Sequence, residues 1–307
     1  MDGMTVLVRF ALYLDLMLVF GLPLFQLHAL RRPERSSPLG KKFVLLTASA
    51  AAIGLVLSAV SMLLMAKAMT GAADIGSIEQ HMFEMMLTDT SFGIAWCLRM
   101  GMLLVVIMAA LLSNVWPTVS AVLMSAAGAT ALATLSWAGH GAMDEGVRGQ
   151  VHLIADIIHL LAAGGWIGAL AAFILMLVLR YGNDPADVSL LSRTLNGFAL
   201  MGTLIVGSLV ITGALNYWLI VGPTVTGLFS SPYGQLLIAK LGLFGLMLAL
   251  AAANRYRLSP LLERVHVSGE HATAIAALRR SLFVETCCAF LILALVSWLG
   301  TLGPMTE

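Results

Sequence analysis

Long apolar runs separated by short polar stretches fill the chain from end to end. Eight such runs lie at about 4–30, 43–69, 91–113, 116–139, 151–179, 196–221, 234–256 and 281–302. Each reaches the roughly 20 residues that an α-helix needs to cross a bilayer. In hydrocarbon every backbone N–H and C=O must find its partner inside its own segment, so these runs are expected to be helices rather than isolated strands. The pattern predicts an all-α fold: a polytopic membrane helical bundle of eight transmembrane helices, with residues 1–307 forming a single transmembrane domain. Gly21 and Pro23 predict a kink in the inner half of the first helix. Trp116-Pro117 predicts a tight turn between the third and fourth. No internal repeat or low-complexity tract interrupts the series.

Composition sharpens this picture. Hydrophobic residues make up 60% of the chain and charged residues only 11%. A soluble domain runs near half apolar and a quarter charged, so there is too little charge here for a water-facing surface. Cys97, Cys287 and Cys288 all fall in apolar runs, and the adjacent pair does not suggest a disulfide framework. The first apolar run lacks a basic flank and a small-residue cleavage site, so it is expected to be retained. Neither a P-loop nor a GxSxG or HExxH motif occurs, so no hydrolase or ATPase is expected, and nothing points to nucleic acid as a partner.

The placement of charge predicts an orientation. Arg31, Arg32, Arg35, Lys41 and Lys42 lie between the first two runs, Arg180 and Arg193 between the fifth and sixth, and Arg255, Arg257, Arg264, Arg279 and Arg280 between the last two. Together these are 12 of the chain's 17 basic residues. The opposite loops carry Asp74, Glu79, Glu84, Asp89, Asp144 and Glu145, with Arg148 as their basic residue. Lys and Arg collect on the cytoplasmic side, which puts both termini outside.

A charge at the bilayer centre costs at least about 2.5–3.5 kcal/mol, so each one asks for a reason. Asp15, Arg99, Lys240 and Glu285 are candidates for an intramembrane polar path, or for buried ion pairs that neutralise one another. Asp156 differs because of its company. His152, Asp156 and His159 fall within an arc of about 60° on one helix and descend about 10 Å from its outer end. His140 reaches the same boundary from the preceding helix, followed by Met143. A neutral imidazole is a good ligand for copper, zinc, iron or nickel, and a neighbouring carboxylate can orient its second nitrogen or join the shell. His140, Met143, His152, Asp156 and His159 are therefore the candidate metal ligands.

Methionines sharpen the choice of metal. Met62, Met65 and Met69 follow helical spacing at the outer end of the second helix. The next outer loop carries His81, Met82, Met85 and Met86, expected on a short amphipathic helix at the membrane surface. Thioethers select Cu(I), while imidazole serves either copper oxidation state, so these residues are candidates for outer copper capture.

Several stretches resemble the copper resistance protein D (CopD) family of bacterial inner-membrane proteins. They are Thr212-Gly213-Ala214-Leu215-Asn216, Tyr233 to Lys240, Asn254 to Pro260 and Leu278 to Glu285. Gly139-His140 and His152, Asp156, His159 and Trp166-Ile167-Gly168 are similar to the family's central helices. The likeness covers about 135–303, with the first four helices alike only in layout. It implies a multi-pass protein of the bacterial inner membrane, where the outside termini predicted from charge would both be periplasmic, that serves copper homeostasis or resistance beside a periplasmic copper-binding partner of the CopC type. It also implies functional roles for His140, His152, Asp156, His159, Lys240 and Glu285.

The expected function is copper binding at the periplasmic face, followed by movement across the membrane, with uptake favoured because the ligand-rich face points outward. Two alternatives stand beside it. One is a haem-binding membrane electron carrier using two of these histidines; the other is a copper-binding scaffold or sensor that moves nothing.

Overall fold

The fold is that of a computed structural model, which describes residues 3–72, 74, 76, 80–138, 146–179, 185–222, 227–259 and 271–302. Among the described residues there are eight helices long and apolar enough to cross a membrane, and no strand. We number them α1 (Gly3–Ala29), α2 (Pro38–Thr70), α3 (Ser91–Leu111), α4 (Pro117–Ala133), α5 (Gly146–Val178), α6 (Pro185–Ile220), α7 (Pro232–Ala253) and α8 (His271–Leu299). The helices α6 and α8 start about ten residues before the apolar runs they contain. An apolar run marks where the chain is in lipid, whereas a helix continues into water for as long as its backbone stays paired.

Helix starts follow local chemistry. The Ser37 hydroxyl accepts from Gly40 N at 3.3 Å, Thr90 from Gly93 N at 3.0 Å and Ser231 from Gly234 N at 3.0 Å. Prolines stand in the first turn of α2, α4 and α7, where the missing N–H costs nothing. Trp116 precedes Pro117 after a 3-10 turn at Leu112–Asn114, so the expected tight turn is present.

The helix α1 runs through the middle of the bundle, packing on α2, α4 and α5, while α5 also carries α6 and α8. Two apolar cores result. One joins the half of α1 nearest the α1–α2 turn to the start of α2 and to α5, α6 and α8 around Phe25, Phe43, Phe173 and Met176. Charge predicts this side to be the inner one. The other joins α1 to α2, α3 and α4 around Leu16, Leu103, Met124 and Leu132. In lipid, helices gain little from burying apolar surface against one another, so close approach of small residues must supply the contact. A Cβ added at Gly21 would collide with Gly164 O, and one at Gly168 would collide with the Gly21 backbone. On the other side of α1, a Cβ at Gly128 would lie 2.8 Å from Val19 O. Pro23 lies within α1 and has no N–H to give to that carbonyl four residues back. Thus α4 touches α1 where a proline has opened its hydrogen-bond ladder.

At the inner ends of the helices, side chains close the backbone. Arg35 donates to Leu27 O at 2.6 Å and Leu30 O at 3.1 Å, capping α1, and to Thr118 Oγ1 at 3.0 Å. Arg193 of α6 pairs with Glu34 at 2.6 Å, and His28 Nε2 donates to Gly197 O at 3.0 Å.

Gly168→Leu is expected to push α1 and α5 apart and to lower the melting temperature of the purified protein, overpacking typically costing about 1–3 kcal/mol. Gly101→Ala, at a position where an added Cβ meets nothing within 4 Å, is expected to leave it unchanged. Equal melting temperatures for both variants and the parent would remove the glycine contact as the organising feature.

Candidate functional site

The helix α5 carries a polar stripe. His152, Asp156, His159, Ala163 and Trp166 recur on one face of a 3.6-residue helix, about 20 Å from first to last. His152 is only 2% exposed, so its ring points into the bundle rather than into lipid. Asp156 and His159 are half-buried on the same side. Small residues let the neighbouring helix approach: a Cβ added at Gly213 of α6 would lie 3.7 Å from His159 Cε1.

Hydrogen bonding fixes the state of His159. Its Nδ1 lies 2.9 Å from Thr212 Oγ1, and the Thr212 hydroxyl itself donates to Ser208 O at 2.5 Å. With the hydroxyl hydrogen committed, Thr212 Oγ1 accepts, so Nδ1 carries the proton. The Nε2 lone pair is then free, which is the form in which imidazole binds a metal. One turn further out on α6, Asn216 has a buried side-chain oxygen without a hydrogen-bond partner. The outer ends of α5 and α6 are tied by Arg148, which donates to Leu219 O at 2.7 Å. Lys240 of α7 lies within electrostatic range of Asp156 and His159, and Tyr13 of α1 within range of Asp156. Three further helices, α1, α6 and α7, therefore contribute polar groups around the α5 stripe.

His140 and Met143 lie outside the described residues. Among the described residues, no three of His, Cys, Asp and Glu come together as a metal-binding group. His152, Asp156 and His159 share a face, but they are strung along it.

The outer methionines divide into two groups. Gln80–Thr88 forms the short helix expected there. Met86 and Met62, 1% and 5% exposed, pack with Ala66 against Phe83, Leu87, Phe92 and Trp96 and are core rather than available thioethers. Met65 and Met82 are half-buried, and His81, Met69 and Met85 are exposed. The small helix thus turns one methionine inward as an anchor and leaves others at the surface.

The four intramembrane ionisable residues do not form one path. Asp15 faces α2, with an oxygen 2.5 Å from where a Cβ on Gly54 would stand and no hydrogen-bond partner for its Oδ2. Arg99, 2% exposed, lines a separate outer cavity with Arg9 and Tyr13. Lys240 belongs with Asp156 and His159. Glu285, also 2% exposed, accepts from Trp166 Nε1 at 2.9 Å and from Asn254 Nδ2 at 3.1 Å. It borders a cavity of about 340 Å3 between α5, α6, α7 and α8, with apolar walls and Asn196, Arg255 and Ser259 toward its inner end. The α5 stripe therefore leads from His152 at the outer end down to Trp166, whose indole holds the carboxylate at this inner cavity.

Thr212, Trp166 and Asn254 were not among the candidate residues. All three stand inside the stretches that carried the family resemblance, so the signal was present but without a role attached.

Residues 1–150 match the family described as copper resistance protein D-like, N-terminal domain, and residues 192–299 match the copper resistance protein D family. The chain is 48% identical over 306 residues to copper resistance protein D of Pseudomonas syringae pv. tomato, covering all of this chain and 98% of that one. It is 28% identical over 301 residues to inner membrane protein YebZ of Escherichia coli K12, covering 96% and 97% of the two chains. It is also 34% identical over 119 residues to copper transport protein CutJ of Bacillus subtilis, which is 39% of this chain and 21% of that protein. No solved structure matches significantly.

Trp166→Phe removes one of two donors from a buried carboxylate and is expected to destabilise the protein by about 1–3 kcal/mol. A melting curve of the purified variant reads this directly, and an unshifted midpoint would mean that the indole does not hold Glu285.

Proposed function

The chain belongs to the copper resistance protein D family, and we propose that it binds copper at its periplasmic face and carries it inward across the bacterial inner membrane. The observation that carries this reading is the state of the α5 stripe. His152 and His159 face the bundle interior on either side of Asp156, and His159 has its Nε2 lone pair free because Nδ1 keeps its proton and donates to Thr212 Oγ1. His140 and Met143, which precede α5 in the sequence and lie outside the described residues, are expected to complete the ligand set.

The chemistry follows from the residue types. Imidazole nitrogens suit Cu(I) and Cu(II), and thioethers favour Cu(I). Exposed Met69, Met85 and His81 collect the ion at the outer surface, supplied by a separate periplasmic copper-binding protein of the CopC type. The Lys240 ammonium, within range of Asp156 and His159, holds the place of a cation until copper arrives, and leaves it when copper binds. From His159 the ion passes along the α5 face to the cavity beside Glu285 and out toward the cytoplasm. Uptake is the direction favoured by a ligand-rich outer end and a carboxylate at the inner one. The chain acts as a carrier and not as an enzyme. Copper is preferred to haem because His152 and His159 sit on one helix, whereas axial haem ligation by two imidazoles needs facing helices; His28 is engaged with Gly197 O at the opposite, inner end.

The distribution of Lys and Arg supports a periplasmic position for both termini. A reporter that is active only outside the cytoplasm, fused after Glu307, is expected to be active; an inactive fusion with a folded carrier would reverse the orientation.

His152→Ala and His159→Ala are expected to lower copper accumulation by cells expressing the protein, and unchanged accumulation in both would defeat the proposal. Copper titration of the purified protein gives a finer test. Thr212→Val is expected to weaken binding about 10–100-fold, as removal of an outer-shell partner does. Thr212→Ser is expected to restore it, and Lys240→Met to strengthen it.

A further inference from the structure

Arg99 lies in the membrane-spanning part of α3, and its guanidinium has no acceptor among the described residues. The side chain is 2% exposed, its Nε is buried without a partner, and its one electrostatic neighbour is Tyr13. It lines a cavity of about 90 Å3 at the outer ends of α1, α2 and α3. Arg9 lines the same cavity, and its Nε is also buried and unpartnered. The Arg9 guanidinium lies close to the Tyr13 phenol, whose hydroxyl can donate to an anion in the cavity. Ser61 and Thr5 add hydroxyls to the wall, Val8, Leu12, Phe92 and Leu135 make it mostly apolar, and no carboxylate among the described residues lines it. Two guanidiniums share a largely apolar space with buried donors that have no acceptor among the described residues.

Buried charges are paired, because an isolated ion in a low-dielectric site costs several kcal/mol. A buried donor without an acceptor commonly marks a bound water or ion. We propose that this cavity is a binding site for a small monovalent anion of the halide class, held by Arg9 and Arg99 with the Tyr13 hydroxyl. Size fits: a water-sized particle takes about 30 Å3, so an anion and one or two waters fill the space. Charge selects as well, because the cost of desolvating an ion rises with the square of its charge. The apolar walls therefore admit chloride more readily than phosphate or sulfate. The cavity is lined from α1, α2 and α3 and by Leu135, with Gly300, just past the end of α8, beside the Arg9 guanidinium. Tyr13 is also within range of Asp156, but the anion reading stands on the two guanidiniums and does not depend on the copper reading.

The test is equilibrium binding of radioactive chloride to the metal-free, full-length protein in nanodiscs of neutral phosphatidylcholine, with gluconate holding the ionic strength constant. One saturable site is expected, displaced by bromide and not by inorganic phosphate. Arg99→Gln and Arg9→Gln are each expected to weaken binding about tenfold or more, the loss of one charge-assisted hydrogen bond. The melting temperature of the parent protein should rise with chloride and level off, and that of the variants should not respond. Should Arg99→Gln fail to fold, Arg9→Gln and the unaltered protein still decide the matter. Absence of saturable chloride binding to the folded parent overturns the proposal. Displacement by inorganic phosphate overturns the halide assignment in favour of a phosphoryl group, and loss of chloride binding on adding phosphatidylglycerol would show that a lipid headgroup supplies it.

Discussion

The contact of α1 with α5 through Gly21, Gly164 and Gly168 sets the arrangement of everything else. Here two backbones touch with no side chain between them, and a single added methyl on either helix would occupy its neighbour's main chain. In a bilayer the solvent is as apolar as the helix surface, so this fit takes the place that hydrophobic burial holds in a soluble core. With α1 fixed against α5, and α4 fixed against α1 at Gly128, the bundle acquires two sides. The helices α2, α3 and α4 gather on one side of α1, while α6 and α8 gather with α5 on the other.

That division also separates the polar groups. On the α5 side, His152, Asp156, His159 and Trp166 make a continuous stripe with Thr212, Lys240 and Glu285 answering from three further helices. On the other side, Arg9, Tyr13 and Arg99 surround an outer cavity, and Asp15 sits alone against Gly54. A membrane protein tolerates ionisable groups only where they do something or meet something. The α5 side meets its need through hydrogen bonds and opposite charges. On the α1–α3 side, Arg9 Nε and Arg99 Nε are buried donors without a partner among the described residues.

The rigid parts of the molecule are those the stripe needs. Thr212 is held by its own helix through Ser208 O, so it can hold His159 in one tautomer. Arg148 ties the outer ends of α5 and α6, and Arg193 with Glu34 and His28 with Gly197 tie α6 to the α1 end at the inner side. In contrast, the cavity beside Glu285 is walled by α6 and α7, which pack little on each other. The helix set is firm around the histidines and open around the carboxylate.

By itself the sequence determined the number of membrane-crossing helices, the starts marked by Ser-Pro and Trp-Pro, and the stripe of His152, Asp156 and His159 on one helix. These follow from residue spacing along one segment, and a segment in lipid has to be helical. It also held the family likeness, in Thr212 to Asn216, Trp166 to Gly168 and Leu278 to Glu285. Only the tertiary structure decided which residues meet. Nothing local to Met62 or Met86 says that they anchor a small helix while Met69 and Met85 stay exposed. Asp15 and Arg99 could as well have faced Lys240 or Glu285 for all that their spacing shows. Rotation of one helix against another is fixed by where backbones touch, and the few glycines that touch are indistinguishable in sequence from those, such as Gly101, that face nothing.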